Sequence, residues 1–128
     1  MGRWLMALLL VMLTSLAARA AEAYACYTPS DSTLTFYYDN YRSSRTGTTY
    51  SMNVGPQMPG WQFDDLHSKI TTVVFNSSFA GATPVSTYNW FSGMYKVKSI
   101  TGIQYLNTSN VRNMVGMFMQ CEALQRFL

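Results

Sequence analysis

Apolar residues recur at a fixed step through the second half of the chain. Phe91, Met94, Val97 and Ile100 stand over Phe118, Cys121, Leu124 and Phe127, each pair 27 positions apart. An earlier echo, Ile70-x-x-Val73-x-Phe75, has the same shape as Ile100-x-x-Ile103-x-Tyr105, now at a step of 30. A constant step in this range is expected of a stack of short units, each too small to bury its own apolar face. Within one unit, Met114, Met117, Phe118 and Cys121 fall at i, i+3, i+4 and i+7. That spacing predicts one face of a helix of about two turns. Thr108, Ser109 or Asn110 would cap it by accepting a hydrogen bond from an unpaired backbone N–H. Leu124 and Phe127 then open a short strand. By the same logic Ile70–Phe75 would pair in parallel with Ile100–Tyr105, and the sequence, which stops at Leu128, reads as a stack truncated in mid-unit.

Upstream the period shortens to two. Ala23–Thr28 and Thr33–Tyr38 read as strands joined by Pro29-Ser30-Asp31-Ser32, whose residues favour a tight turn. In the second strand Leu34, Phe36 and Tyr38 share one face. Asp39–Gly47 is a polar loop, and Thr48–Met52 is a further candidate strand. Asn53–Gly60 holds Pro56 and Pro59 and reads as a connector, with Trp61-Gln62-Phe63 anchoring it to the core.

The segment Asn-Thr-Ser-Asn-Val-x-Asn-Met-x-x-Met-Phe-x-x-Cys-x-x-Leu at 107–124 resembles the repeat of BspA-like leucine-rich repeat surface proteins of bacteria. Arg112 stands where those repeats usually carry Thr or Ser. The segments Ala23–Asn40 and Arg42–Tyr50 also resemble the region that introduces such repeats in gut and oral Bacteroidota. The resemblance implies an α+β fold, with a β-hairpin N-terminal cap over residues 21–66. A short leucine-rich-repeat-like solenoid would follow over 67–128, its last unit incomplete. The repeat core would comprise Ile70, Val73, Phe75, Phe91, Met94, Val97, Ile100, Ile103, Tyr105, Met114, Met117, Phe118, Cys121 and Leu124. The resemblance further implies a secreted or cell-surface, adhesin-like protein that contacts host or neighbouring-cell proteins. Family members usually carry several repeats, whereas this chain has about one good copy.

The N-terminus adds a compartment. Arg3 supplies a positive start, Trp4–Leu13 an apolar stretch, and Ala18-Arg19-Ala20 an A-x-A cleavage site, so residues 1–20 read as a signal peptide. The apolar stretch is shorter than the roughly 20 residues needed to span a bilayer. Cleavage after Ala20 removes Arg3 and Arg19 and leaves seven basic residues against six acidic ones. The basic balance therefore belongs largely to the leader, and no patch remains to attract nucleic acid. No transmembrane segment is expected in the mature chain.

Candidate chemistry is sparse. His67 is the only histidine, and although Asp64 and Asp65 stand beside it, no second imidazole or nucleophile accompanies them. No phosphate-cradling glycine loop, nucleophile elbow or zinc-protease motif occurs. The expectation is no catalysis, no cofactor and no metal. Cys26 and Cys121 would meet oxidising conditions outside the cell, yet Cys121 takes the position that Met94 fills one unit earlier, which favours two separate thiols. The many tyrosines and tryptophans offer flat faces with a polar edge, suited to protein contact or to sugar rings. The alternatives to a protein-binding adhesin are thus a small secreted glycan-binding module and a truncated fragment without function. A bare final unit would also promote self-association through the C-terminal end.

Overall fold

The structure, a computed structural model, describes residues 19–128. The leader features Arg3 and Trp4–Leu13, and Ala18 of the cleavage site, lie outside the described residues. Among the described residues no helix is long and apolar enough to cross a membrane.

One mixed sheet organises the chain. Its strands are β1 (Glu22–Thr28), β2 (Thr33–Asp39), β3 (Thr48–Ser51), β4 (Thr72–Phe75), β5 (Ser99–Thr101) and β6 (Arg126–Phe127), in the spatial order β3-β1-β2-β4-β5-β6. The alternation in β1 and β2 gives an antiparallel hairpin with Ala25 opposite Phe36, and β3 pairs antiparallel with the other edge of β1. From β2 onward the pairing is parallel: Phe36 lies opposite Phe75, Val73 opposite Ile100, and Ile100 opposite Phe127. The only regular α-helix among the described residues is the single turn α1 (Gly60–Phe63).

This arrangement overturns the expected fold class. The hairpin is not a cap over a leucine-rich-repeat-like solenoid; it forms the middle of an open six-stranded sheet. The reason lies in β2, whose Leu34 and Phe36 are fully buried and whose edge pairs directly with β4. Phe36 is the hub of the core, stacked on Phe75 at 4.6 Å and on Trp90 at 4.9 Å between ring centroids, with Trp61 edge-on at 5.5 Å. Such offset and edge-to-face pairs add about 0.5–1.5 kcal/mol each beyond their burial.

The helix expected over Met114–Cys121 is also absent. Gly116 has φ of 70° and Gln120 of 59°, left-handed values that no right-handed helix accommodates. The main-chain carbonyls that a helix would use internally face a neighbour instead. Asn113, Val115, Met117 and Met119 accept from the N–H groups of Thr87, Asn89, Phe91 and Gly93 at 2.8–3.0 Å. Segments 85–98 and 112–125 thus run side by side as successive tight turns. The i→i−3 bonds Trp90→Thr87, Met94→Phe91 and Val97→Met94 recur as Met117→Met114, Cys121→Phe118 and Leu124→Cys121. The strand register needs correction as well. Val73, not Ile70, faces Ile100, and Ile103–Tyr105 forms a 3-10 turn after Gly102 rather than continuing the strand.

Candidate interaction surfaces

The residues expected to form one repeat core separate into two groups. Ile70, Val73, Phe75, Phe91, Met94, Val97, Ile100 and Met117 are buried around Phe36, Trp61 and Trp90. Ile103, Tyr105, Cys121 and Leu124 are half-buried and pack against that core. Met114 and Phe118 do not belong inside: they are 48% and 39% exposed. With the helix replaced by turns, the i, i+3, i+4 face no longer exists, and Met117 alone of the three turns inward.

Outside the core, exposed apolar side chains gather on the last segment. Met114, Val115, Phe118, Met119, Phe127 and Leu128 all stand exposed. An aromatic series leads out to them: buried Phe91 stacks on Phe118 at 5.7 Å, and Phe118 meets Phe127 edge-on at 5.7 Å. Next to this face β6 pairs with β5 on one side only among the described strands. Val115 and Met119 had no place in the sequence reading. Gly116, read as a helix breaker, is the signal that would have pointed to them.

A polar cluster on the β1–β2 side is closed on itself. Arg45 forms an ion pair of 2.7 Å with Asp39 and donates through Nε to the Tyr24 hydroxyl at 3.0 Å, while that hydroxyl donates to Asp39 at 2.6 Å. The Arg45 guanidinium also lies 3.7 Å from the Tyr37 ring centre. Burial pushes the Tyr24 phenol up to about 12, against the pull of Arg45. Burial alone would raise the Asp39 carboxyl, but hydrogen bonds from Tyr24, the Tyr41 N–H and Arg45 hold it below the ordinary carboxylate value. Arg45, Asp39 and Tyr24 bond to one another, so the cluster fixes the Asp39–Gly47 loop rather than presenting a site.

His67 and Asp65 line an open cleft of about 450 Å³ with Gln62, Tyr95, Gln120 and Glu122, while Asp64 turns aside to accept from the Tyr50 hydroxyl at 2.5 Å. No group of three or more His, Cys, Asp or Glu side chains able to hold a metal ion occurs among the described residues. Cys26 and Cys121 are both free. Cys26 donates to the Thr46 carbonyl and Cys121 to the Phe91 carbonyl, and burial pushes both thiols up, away from the reactive thiolate form.

No protein-family model matches this chain, and no significant match was found among curated proteins or solved structures.

Proposed function

We propose that this chain is an extracytoplasmic interaction protein that binds another protein through the apolar face beside β6. The observation that carries the reading is that Met114, Val115, Phe118, Met119, Phe127 and Leu128 are all exposed at the end of the chain beside β6, with Phe118 in contact with Phe127. Large exposed apolar patches mark interaction sites on soluble proteins. The adjoining strand edge supplies main-chain donors and acceptors. The occupant it fits is an extended apolar segment of a partner protein, added in line with β6. Export rests on Arg3, Trp4–Leu13 and the A-x-A site, and the likeness of 107–124 to BspA-like surface proteins supports the same reading.

The test uses the chain recovered from the medium or envelope of the producing cells, screened against displayed extended peptides of varied apolar content. Apolar peptides should be selected, and Val115→Lys and Met119→Glu should abolish their binding while circular dichroism stays unchanged. Equal binding by wild type and both variants would overturn the assignment of this face. So would a wild-type chain that binds no peptide and sediments as a dimer dispersed by Val115→Lys, because the occupant would then be a second copy. Recovery of the chain only from the cytosol would overturn the extracytoplasmic half of the proposal.

A further inference from the structure

The two turn segments, 85–98 and 112–125, share one backbone shape but not one environment. Left-handed residues stand at Asn89 and Gly93, φ of 53° and 74°, and recur 27 positions on at Gly116 and Gln120, φ of 70° and 59°. In the first segment Thr87, Asn89, Phe91 and Gly93 give their N–H groups to carbonyls of the second. The residues 27 positions on from these four are Met114, Gly116, Phe118 and Gln120. Their N–H groups have no main-chain acceptor among the described residues, and the nearby Asn113 Oδ1 takes the N–H of Val115 instead. Phe91 is buried under its neighbour, whereas Phe118, in the equivalent place, is 39% exposed.

The opposite edge of the pair is closed. Tyr88, Trp90 and Ser92 hold the places that Val115, Met117 and Met119 hold one unit later, and side chains serve their carbonyls. Asn53 Nδ2 donates to the Tyr88 carbonyl at 3.4 Å, and Trp61 Nε1 to that of Trp90 at 2.7 Å. Gln62 Nε2 donates to the Ser92 carbonyl at 3.0 Å. The connector and α1 thus stand in for the N–H series of a preceding segment. The pair is directional: its acceptors are covered at one edge, and a series of donors faces out at the other.

From this directionality we infer that the partner segment beside β6 is itself a run of tight turns built like 112–125. Its alternate main-chain carbonyls accept from the N–H groups of Met114, Gly116, Phe118 and Gln120. The inference rests on the reading of this face as an interaction surface and adds what the partner must offer. The interface between segments 85–98 and 112–125 already shows the fit, and the partner continues it outward. A large apolar side chain of the partner stacks on Phe118 as Phe118 stacks on Phe91 at 5.7 Å. The extended stretch that adds to β6 then follows the turns, as β6 follows segment 112–125 and pairs with β5. A second copy does not meet the requirement. Two copies joined through this edge would set N–H against N–H, and the carbonyls at a copy's other edge are held by Asn53, Trp61 and Gln62. The partner is a different polypeptide whose turn carbonyls are free.

Amide hydrogen exchange, read by NMR on the isotope-labelled whole chain, tests the proposal. The probes are an unlabelled synthetic peptide of residues 107–128, whose carbonyls are free, the same peptide in scrambled order, and an extended peptide of alternating Val and Thr. In the chain alone the amides of Thr87, Asn89, Phe91 and Gly93 should be protected, and those of Met114, Gly116, Phe118 and Gln120 should exchange freely. With the 107–128 peptide at about ten times its Kd, these last four should slow about tenfold, since only the free form exchanges. The scrambled peptide should leave them unchanged. Phe118→Ala should weaken the 107–128 peptide about tenfold, the loss expected of one stacked aromatic contact. If the extended peptide binds while the 107–128 peptide slows none of the four amides, the proposal is overturned and the apolar face keeps a different occupant. Binding by neither peptide overturns this proposal and the interaction surface together. Protection of the four amides that grows with the concentration of the chain alone also overturns it, because the occupant would then be a second copy.

Discussion

The indole N–H of Trp61 donates to the main-chain carbonyl of Trp90 at 2.7 Å. Trp90 in turn donates through its own indole to Asn53 Oδ1 at 2.7 Å. Both rings are fully buried, so the two bonds tie the Pro-rich connector and α1 to the segment after β4 without leaving an indole N–H unpaired. Trp61→Phe should keep most of the packing but lose the bond, costing about 1–3 kcal/mol. Trp61→Ala should cost about 3–5 kcal/mol. Urea unfolding followed by circular dichroism checks both, and equal losses for the two variants would mean that the hydrogen bond contributes nothing.

Phe36 and Phe118 should differ sharply. Phe36 touches five aromatic rings and is fully buried, so Phe36→Ala should cost about 3–5 kcal/mol. Phe118 keeps its contacts with Phe91 and Phe127 but is half open to water, and Phe118→Ala should cost only about 1–2 kcal/mol. A Phe118 loss as large as that of Phe36 would place it back inside the core.

Two glycines separate steric need from backbone preference. Gly102 and Gly55 both have positive φ, but a Cβ on Gly102 would collide with the Phe75 carbonyl, whereas one on Gly55 meets open space. Gly55→Ala should therefore cost about 1–2 kcal/mol, the left-handed penalty alone. Gly102→Ala should cost clearly more, because β4 must move. Denaturation midpoints of the two variants give the comparison.

Stability should fall at both extremes of pH through one cluster. Asp39 is held low in the folded state, so it stabilises the fold above the ordinary carboxylate value, an effect lost as acid carries the pH through its lowered one. Tyr24 is pushed up from 10.0 to about 12, so its contribution is complete below pH 10 and is lost as pH rises from 10 through 12. Asp39→Asn should flatten the acid limb of a melting-temperature profile, and Tyr24→Phe the alkaline limb.

Both thiols should survive oxidising conditions unlinked. Iodoacetamide should label Cys121, which is half-buried, before Cys26, which is buried. Both should react on unfolding, and intact mass should show no loss of two hydrogens. A Cys26–Cys121 bridge would contradict the placement of both residues.

The hairpin was legible in the sequence because the alternation of Leu34 and Phe36 with polar neighbours, and the Pro29–Ser32 turn, are local signals that act within a few residues. The 27-residue step read between Ile100 and Phe127 was legible too, and it corresponds to a real register, whereas the step of 30 read between Ile70 and Ile100 does not, because Val73 takes that place opposite Ile100. What the step could not reveal was how the chain travels between strands. Met114, Met117, Phe118 and Cys121 fit a helical face by spacing alone. The outcome depended on whether their carbonyls bond within the segment or across to residues 87–93, which are distant partners that no local pattern encodes. Gly116, at φ of 70°, tips that choice by favouring a turn. Only the tertiary structure then decided that β2 pairs with β4, making the hairpin the centre of the sheet instead of its lid. It likewise decided that Asp65, Gly93 and Gln120, separated by 55 residues of sequence from first to last, line one cleft. Parallel pairing brings remote segments together only after the loops between them have closed, so its consequences are written in contacts rather than in composition.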